Sequence, residues 1–191
     1  GCGNGSSFYP LIELYKELSP RPFVYGVDFS RSAIEHIQNK ENYDKDNSKA
    51  MVCDLVHDEL PEEIGENTID IALLVFVLSA IDPSNMATVM KKVFKSLKPG
   101  ALLLFRDYGL YDMTQMRFVA KKRRKIEESF YVRADGTRTY FFSLDVFKEL
   151  ATAAGFEIEK LKYDTRELKN RKRMLTMYRV WVTAKLRKPL Q

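Results

Sequence analysis

Apolar positions along the chain fall into helix-spaced stretches separated by short strand-like runs. Phe8, Leu11, Ile12, Leu14, Tyr15 and Leu18 recur at helical spacing. Val24-Tyr25-Gly26-Val27-Asp28 is a β-branched and aromatic run that ends in an acid. Ser30 stands where a helix through Ile34 and Ile37 needs its cap, and that helix breaks into the polar stretch 39–48. Residues 49–53 read as a strand, 58–67 as a polar loop with Pro61 and Gly65, and 68–80 as almost continuously apolar. Such a run, flanked by turn residues, fits a strand buried on both faces of a parallel sheet. Asp82-Pro83-Ser84 opens a helix whose inner face is Met86, Val89, Met90, Val93, Phe94 and Leu97. Lys98-Pro99-Gly100 stops it, and 101–105 is the next strand.

The second half departs from this alternation. Residues 113–142 read as an insertion, with a helical basic run Lys121-Lys122-Arg123-Arg124-Lys125 followed by two aromatic strands around an Asp135-Gly136 turn. Ser143 caps a last helix (Val146, Phe147, Leu150, Ala151) that ends at Gly155. Strands at 156–163 and 175–186 close the chain as a hairpin, with a basic stretch at 166–173 between them. The expected class is α/β, a mostly parallel sheet with that hairpin as its antiparallel edge.

Composition narrows this picture. With 191 residues and 45% hydrophobic content, the chain suits a single domain spanning 1–191. No apolar run approaches the roughly 20 residues of a membrane helix. Cys2, Cys53, His36 and His57 show no zinc spacing and make no disulfide framework, so no metal is expected. The expected compartment is reducing and intracellular, cytoplasmic and also nuclear. Charge is divided unevenly: residues 1–112 carry a net −6 and residues 113–191 a net +11. The basic half suits a polyanionic partner such as nucleic acid, with solvated helix faces as the plainer alternative. The lysine-rich run by itself suits a solvated face or a targeting signal.

Candidate chemistry begins at the first residues. Gly1, Gly3 and Gly5 alternate, which lets the backbone turn sharply and bring amides near a ligand at a helix N-terminus. A loop of this kind should follow a buried strand, so a first strand, and an extension before it, is expected upstream of Gly1. Asp28 lies 23 residues past Gly5, where nucleotide-binding α/β folds place an acid on ribose hydroxyls. The dinucleotide fingerprint is G-x-G-x-x-G, whereas the spacing here is G-x-G-x-G. This pattern resembles the cofactor loop of class I S-adenosylmethionine-dependent methyltransferases, and a nicotinamide enzyme remains open on the loop alone. The resemblance implies that Asp54 reaches an adenine amino group, Leu55 lies against the ring, and Phe76 marks the reactive end of the pocket. A simple turn acid is the alternative for Asp54.

Arg106, Asp107 and Tyr108 follow a strand, where open α/β sheets gather their catalytic groups. An ion pair with an aromatic cap on the sheet is the alternative. In the hairpin, Tyr131, Arg133, Arg138 and Tyr140 interleave aromatics with arginines, which suits stacked bases and phosphates.

Residues 76–81 (FVLSAI), 104–112 (LFRDYGLYD), 130–142 (FYVRADGTRTYFF) and the closing 179–189 together resemble the tRNA 3-methylcytidine methyltransferase family, and the resemblance spans nearly the whole chain. It implies a Rossmann-like, seven-stranded methyltransferase fold, S-adenosylmethionine as methyl donor with S-adenosylhomocysteine as product, and N3 of a cytidine at position 32 of the tRNA anticodon loop as acceptor. A helper protein such as an aminoacyl-tRNA synthetase is a further implied partner. Cytosine N3 carries an in-plane lone pair and needs alignment rather than a strong base. The product base is cationic, so Asp107 is the expected stabilising carboxylate, with Tyr108 or Phe76 supporting the base and Arg106 and Arg133 on its carbonyl or phosphates. A carbon-5 methyltransferase would need a nucleophilic cysteine, and neither Cys2 nor Cys53 stands beside proline. Two other readings stay open: methylation of a small molecule or protein, and a non-catalytic RNA-binding scaffold.

Overall fold

In a computed structural model describing residues 1–120, 123–172 and 174–190, the chain forms two units, 1–65 and 66–191. In the first, α1 (Phe8–Tyr15) and α2 (Arg31–Gln38) pack on a parallel pair of strands, β1 (Val24–Asp28) and β2 (Ser48–Val52). The helical spacing read from the sequence delivers Phe8, Ile12, Ile34 and Ile37 to one core around Ala50. Ser30 caps α2 as expected, its hydroxyl accepting from the Ala33 amide.

The second unit is built on β4 (Leu97–Tyr108). It pairs in parallel with β3 (Ile69–Val75) and antiparallel with β9 (Leu175–Arg187). The strand β8 (Glu157–Asn170) pairs antiparallel with β9, which gives the order β3-β4-β9-β8. The closing strands therefore form the expected hairpin, with β9 inside the sheet and β8 at its edge. Helices α3 (Pro83–Ser96), α4 (Met113–Val119) and α5 (Leu144–Ala153) complete this unit. A small antiparallel sheet joins them, made of β5 (Lys125–Glu127), β6 (Phe130–Val132) and β7 (Arg138–Tyr140).

Alternation along β4 organises the core. Ala101, Leu103, Phe105 and Asp107 are buried, as are Val182, Ala184 and Leu186 on β9. Phe105 stacks on Phe147 of α5 at 3.9 Å and meets Phe142 edge-on at 5.8 Å. Leu104, Arg106 and Tyr108 point to the opposite face.

Among the described residues the strands pair as β1–β2 in the first unit and as β3-β4-β9-β8 and β5-β6-β7 in the second. Several sequence expectations are corrected. The apolar run 68–80 is strand only to Val75, because Phe76 adopts a left-handed backbone (φ 57°) and Leu78–Ala80 turns as a 3-10 helix. Leu97 belongs to β4 rather than α3, and Lys98-Pro99-Gly100 forms a bulge in the pairing with β3, with Gly100 at φ 79°. The basic run is not helical where it is described: Arg123 and Arg124 lie in a turn and bend, and Lys125 starts β5. Lys121 and Lys122 lie outside the described residues. The expected basic loop 166–173 is largely strand, since Arg166 through Asn170 continue β8 opposite β9; Arg173 lies outside the described residues.

Because Phe147 is fully buried against Phe105 and Phe142, Phe147→Ala is expected to destabilise the second unit by about 3–5 kcal/mol. Urea unfolding followed by circular dichroism checks it.

Candidate functional site

The residues expected to do chemistry do fall at the carboxyl ends of parallel strands: Asp28 ends β1, Asp54 follows β2, Phe76 follows β3, and Asp107 and Tyr108 end β4. In the first unit, buried Asp28 accepts from the Gly3 amide at 2.8 Å and the Ser30 amide at 2.9 Å. The Gly5 amide donates to the Cys2 carbonyl at 3.0 Å. The amides of Gly3 and Gly5 thus satisfy the protein itself and are not the bare donors the sequence suggested. Gly1 leads into this loop at the surface.

The glycines have separate reasons. Gly3 is at φ 54° with nothing within 4 Å of a would-be Cβ, leaving open space at the loop crest. Gly5, at φ 89°, has the Tyr9 ring 2.6 Å from that position. Only glycine lets Tyr9 close over the loop. Asp54 accepts from the Val56 amide at 2.8 Å, so one carboxylate oxygen serves a turn, with Leu55 half-buried beside it. The donor set suits a nucleoside: each oxygen of Asp28 has a second lone pair for a hydroxyl, and the loop beside it carries no side chain at Gly3.

In the second unit, alternation separates three neighbours that looked like one cluster. Asp107 points into the fully buried face, while Arg106 and Tyr108 share the other. Asp107 Oδ2 accepts from the Ser79 amide at 2.9 Å and Oδ1 from the Tyr108 amide at 2.9 Å. Burial pushes its carboxyl up to about 6, against the hydrogen bonds from Ser79 and Tyr108 and the nearby Arg133 guanidinium, which all favour the charged form. On the opposite face Arg106 donates to Asp164 at 3.0 Å and lies 4.2 Å from the centre of the Trp181 ring. The half-exposed Phe76 ring is 4.9 Å from Tyr108 and 6.1 Å from Trp181. A left-handed backbone at Phe76, on a bulky residue, is the kind of strain found at ligand sites.

The hairpin contributes differently from expectation. Its loop has five residues, 133–137, with the Gly136 amide donating to the Arg133 carbonyl and Gly136 at φ 84°. The Tyr131 ring is buried, packed 5.7 Å from both Phe118 and Phe141, and so offers no face to a base. Tyr140 is half-buried on Phe142 at 4.8 Å. Arg138 points at Asp82. Only Arg133 of the four reaches the end of β4, its guanidinium 5.0 Å from the Tyr108 ring centre and close enough to Asp107 to act on it.

Sequence reasoning assigned no role to Ser79, Asp112, Asp164, Arg179 or Trp181. Asp112 carried a readable signal, an acid two residues before Thr114 at a helix start. Trp181 opposes Tyr108 through strand register, which no local pattern encodes. Among the described residues no group of three or more His, Cys, Asp or Glu could hold a metal ion, and no helix is long and apolar enough to cross a membrane.

An α/β fold with its polar chemistry at strand ends is the architecture of class I S-adenosylmethionine-dependent methyltransferases. A solved S-adenosylmethionine-dependent methyltransferase from Methanosarcina mazei superposes with a TM-score of 0.76 at 20% identity, over 100% of this chain and 91% of that one. The model of the methyltransferase domain family matches residues 1–161, and the chain belongs to that family. It is 51% identical over its full length to O-methyltransferase 3 of Dictyostelium discoideum, covering 43% of that protein. It is 44% identical to the tRNA N(3)-cytidine methyltransferase METTL2 of Bos taurus, over 100% of the chain and 49% of the relative. The tRNA(Thr) (cytosine(32)-N(3))-methyltransferase of Saccharomyces cerevisiae is 42% identical over 96% of the chain and 29% of the relative. The chain thus spans about half the length, or less, of these curated relatives.

The raised carboxyl of Asp107 has a signed consequence. An unfolded aspartate titrates near 3.9, whereas in the folded chain it titrates near 6, so the folded state holds the proton more tightly. The resulting stabilisation is complete below about pH 4 and is lost as pH rises through about 6, a swing of order 2–3 kcal/mol. Asp107→Asn should remove that decline, so the stability difference between variant and wild type should grow in the variant's favour across this window. Urea midpoints at several pH values measure it.

Proposed function

We propose that the protein transfers a methyl group from S-adenosylmethionine to N3 of a cytidine in tRNA, at position 32 of the anticodon loop. The observation that carries this reading is 42–44% identity, over nearly the whole chain, to proteins named as tRNA N3-cytidine methyltransferases. The two units are read as one methyltransferase domain, because the family match runs across their boundary. The seven-stranded sheet of the class belongs to the same reading, supported by the parallel pairs β1–β2 and β3–β4 and by β9, which runs antiparallel to both β4 and β8.

When bound, S-adenosylmethionine supplies an electrophilic methyl group. Glycine-loop residues Gly1, Gly3 and Gly5, with Asp28, Asp54 and Leu55, would hold its nucleoside part. Phe76 and Tyr108 present aromatic surface on which a flipped cytosine can stack. Cytosine N3 attacks through its own lone pair and leaves the base cationic. The buried Asp107 carboxylate places negative charge at the end of β4 in a low-dielectric setting, where it stabilises that cation without a proton transfer. Arg133, which lies over the Tyr108 ring, would contact the base carbonyl or a phosphate, and Arg106 and Arg138 would contact the RNA backbone. Delivery of tRNA by a helper protein such as an aminoacyl-tRNA synthetase, and a cytoplasmic and nuclear location, complete the proposal.

The Dictyostelium relative's name favours a second reading, O-methylation. An oxygen acceptor has a proton to lose, so that reading needs a base the acceptor can touch, which the enclosed Asp107 does not provide.

Incubation of the protein with labelled S-adenosylmethionine and total tRNA, followed by digestion to nucleosides, tests the two. Labelled 3-methylcytidine is expected, with kcat lowered about 100-fold in Asp107→Asn at unchanged KM for the methyl donor. Label in 2′-O-methylated nucleosides or in a small molecule instead would overturn the N3 assignment.

A further inference from the structure

Asp112 is fully buried, and its carboxylate is shared three ways. Oδ1 accepts from the Thr114 amide at 2.8 Å and so caps α4. Oδ2 accepts from Arg179 Nε at 2.8 Å and from the Val180 amide at 2.9 Å. Arg179 is thereby fixed on β9 by a carboxylate that cannot move.

The guanidinium held this way lies between two rings. Its central carbon is 5.8 Å from the centre of Tyr108 and 5.5 Å from that of Trp181, which are partners across β4 and β9. The arrangement extends outward, with Arg133 5.0 Å from Tyr108 and Arg106 4.2 Å from Trp181. Cations and rings therefore alternate: Arg133, Tyr108, Arg179, Trp181, Arg106. Arg133 Nε and Trp181 Nε1 are buried and make no hydrogen bond among the described residues. Stacking, rather than a hydrogen bond at those atoms, orients both groups.

We propose that Arg179, anchored by Asp112, is a positioning residue that fixes the Tyr108 ring and, through it, the Arg133 guanidinium at the end of β4. Arg179 itself acts through these groups and touches no reacting atom. The consequence for catalysis rests on the methyl-transfer function proposed above; the stack itself does not.

Arg179→Lys keeps a cation against Asp112, so the loop and α4 stay anchored, but removes the planar group that lies between the rings. Trp181 is the chain's only tryptophan, so its emission reports on the stack directly. In Arg179→Lys its emission should shift to the red and its quenching by acrylamide should increase, while Lys148→Ala, a control on the exposed face of α5, leaves both unchanged. With tRNA and S-adenosylmethionine, kcat should fall about tenfold as Arg133 loses its alignment, with KM for the methyl donor unchanged. In an Arg133→Ala background the same Arg179→Lys change should lower kcat by less than it does in the wild type, because one of the two groups it positions is gone.

Unchanged Trp181 emission and quenching in Arg179→Lys would overturn the proposal. So would altered fluorescence with full turnover, or additive losses in the double variant. If wild-type protein methylates no tRNA, the proposed function falls, and the fluorescence comparison alone decides whether Arg179 orders the stack.

Discussion

Everything in the second unit depends on β4 being paired on both sides. A strand locked between β3 and β9 cannot slip by one residue without sending its apolar set to the wrong face, so its register is fixed by the burial of Leu103 and Phe105 against Leu186 and Ala184. That same register decides where the chemistry goes. Asp107 continues the buried row and is desolvated because its predecessors are core residues. Arg106 and Tyr108 continue the other row and meet Trp181 and Asp164, which β9 and β8 bring to the same face. Two faces of one strand end thus acquire opposite characters, a desolvated acid behind and cations with aromatics in front.

The charged pairs on this frame are unequal. Arg179 with Asp112 joins a fully buried carboxylate to a mostly buried guanidinium, and loss of one partner from such a pair costs about 3–5 kcal/mol because the other is left buried and uncompensated. Arg106 with Asp164 is more open, so its Coulombic part is smaller and its stacking on Trp181 carries more of its order. Arg138 with Asp82 is exposed on both sides and falls in the class that contributes about 0–1 kcal/mol. This ranking separates three arginines of the second unit: Arg179 is held most deeply, Arg106 is held but reachable, and Arg138 is free to exchange partners with an approaching polyanion.

Much of this architecture is readable in the sequence because it rests on local signals. The caps at Ser30 and Ser143, the helix face from Met86 to Val93, and the acids at strand ends all follow from spacing and turn chemistry. The failures share a cause, since each needed a tertiary fact. Tyr131 reads as a stacking residue because an aromatic beside arginines looks the same in a binding hairpin and in a core; only the packing of Phe118 and Phe141 tells them apart. Asp107 and its neighbours read as one cluster because adjacency in sequence hides the pleat. Trp181 and Arg179 were passed over because their relation to Tyr108 is a matter of pairing across some 70 residues of chain.

The division between a desolvated acid and a front of cations and rings also bears on what sort of acceptor fits. A nucleophile that must lose a proton needs a base that it can touch. Asp107 is instead enclosed, with Ser79 and Tyr108 already bonded to its oxygens. Its reach is electrostatic, and at neutral pH a carboxyl titrating near 6 is mostly charged. A fixed negative charge behind an aromatic surface favours a species that becomes positive on reaction and gains little for one that stays neutral. Cytosine methylated at N3 is of the first kind, and a hydroxyl methylated on oxygen, once deprotonated, is of the second. For the methyl transfer proposed above, the geometry of this strand end therefore suits a nitrogen acceptor better than an oxygen one.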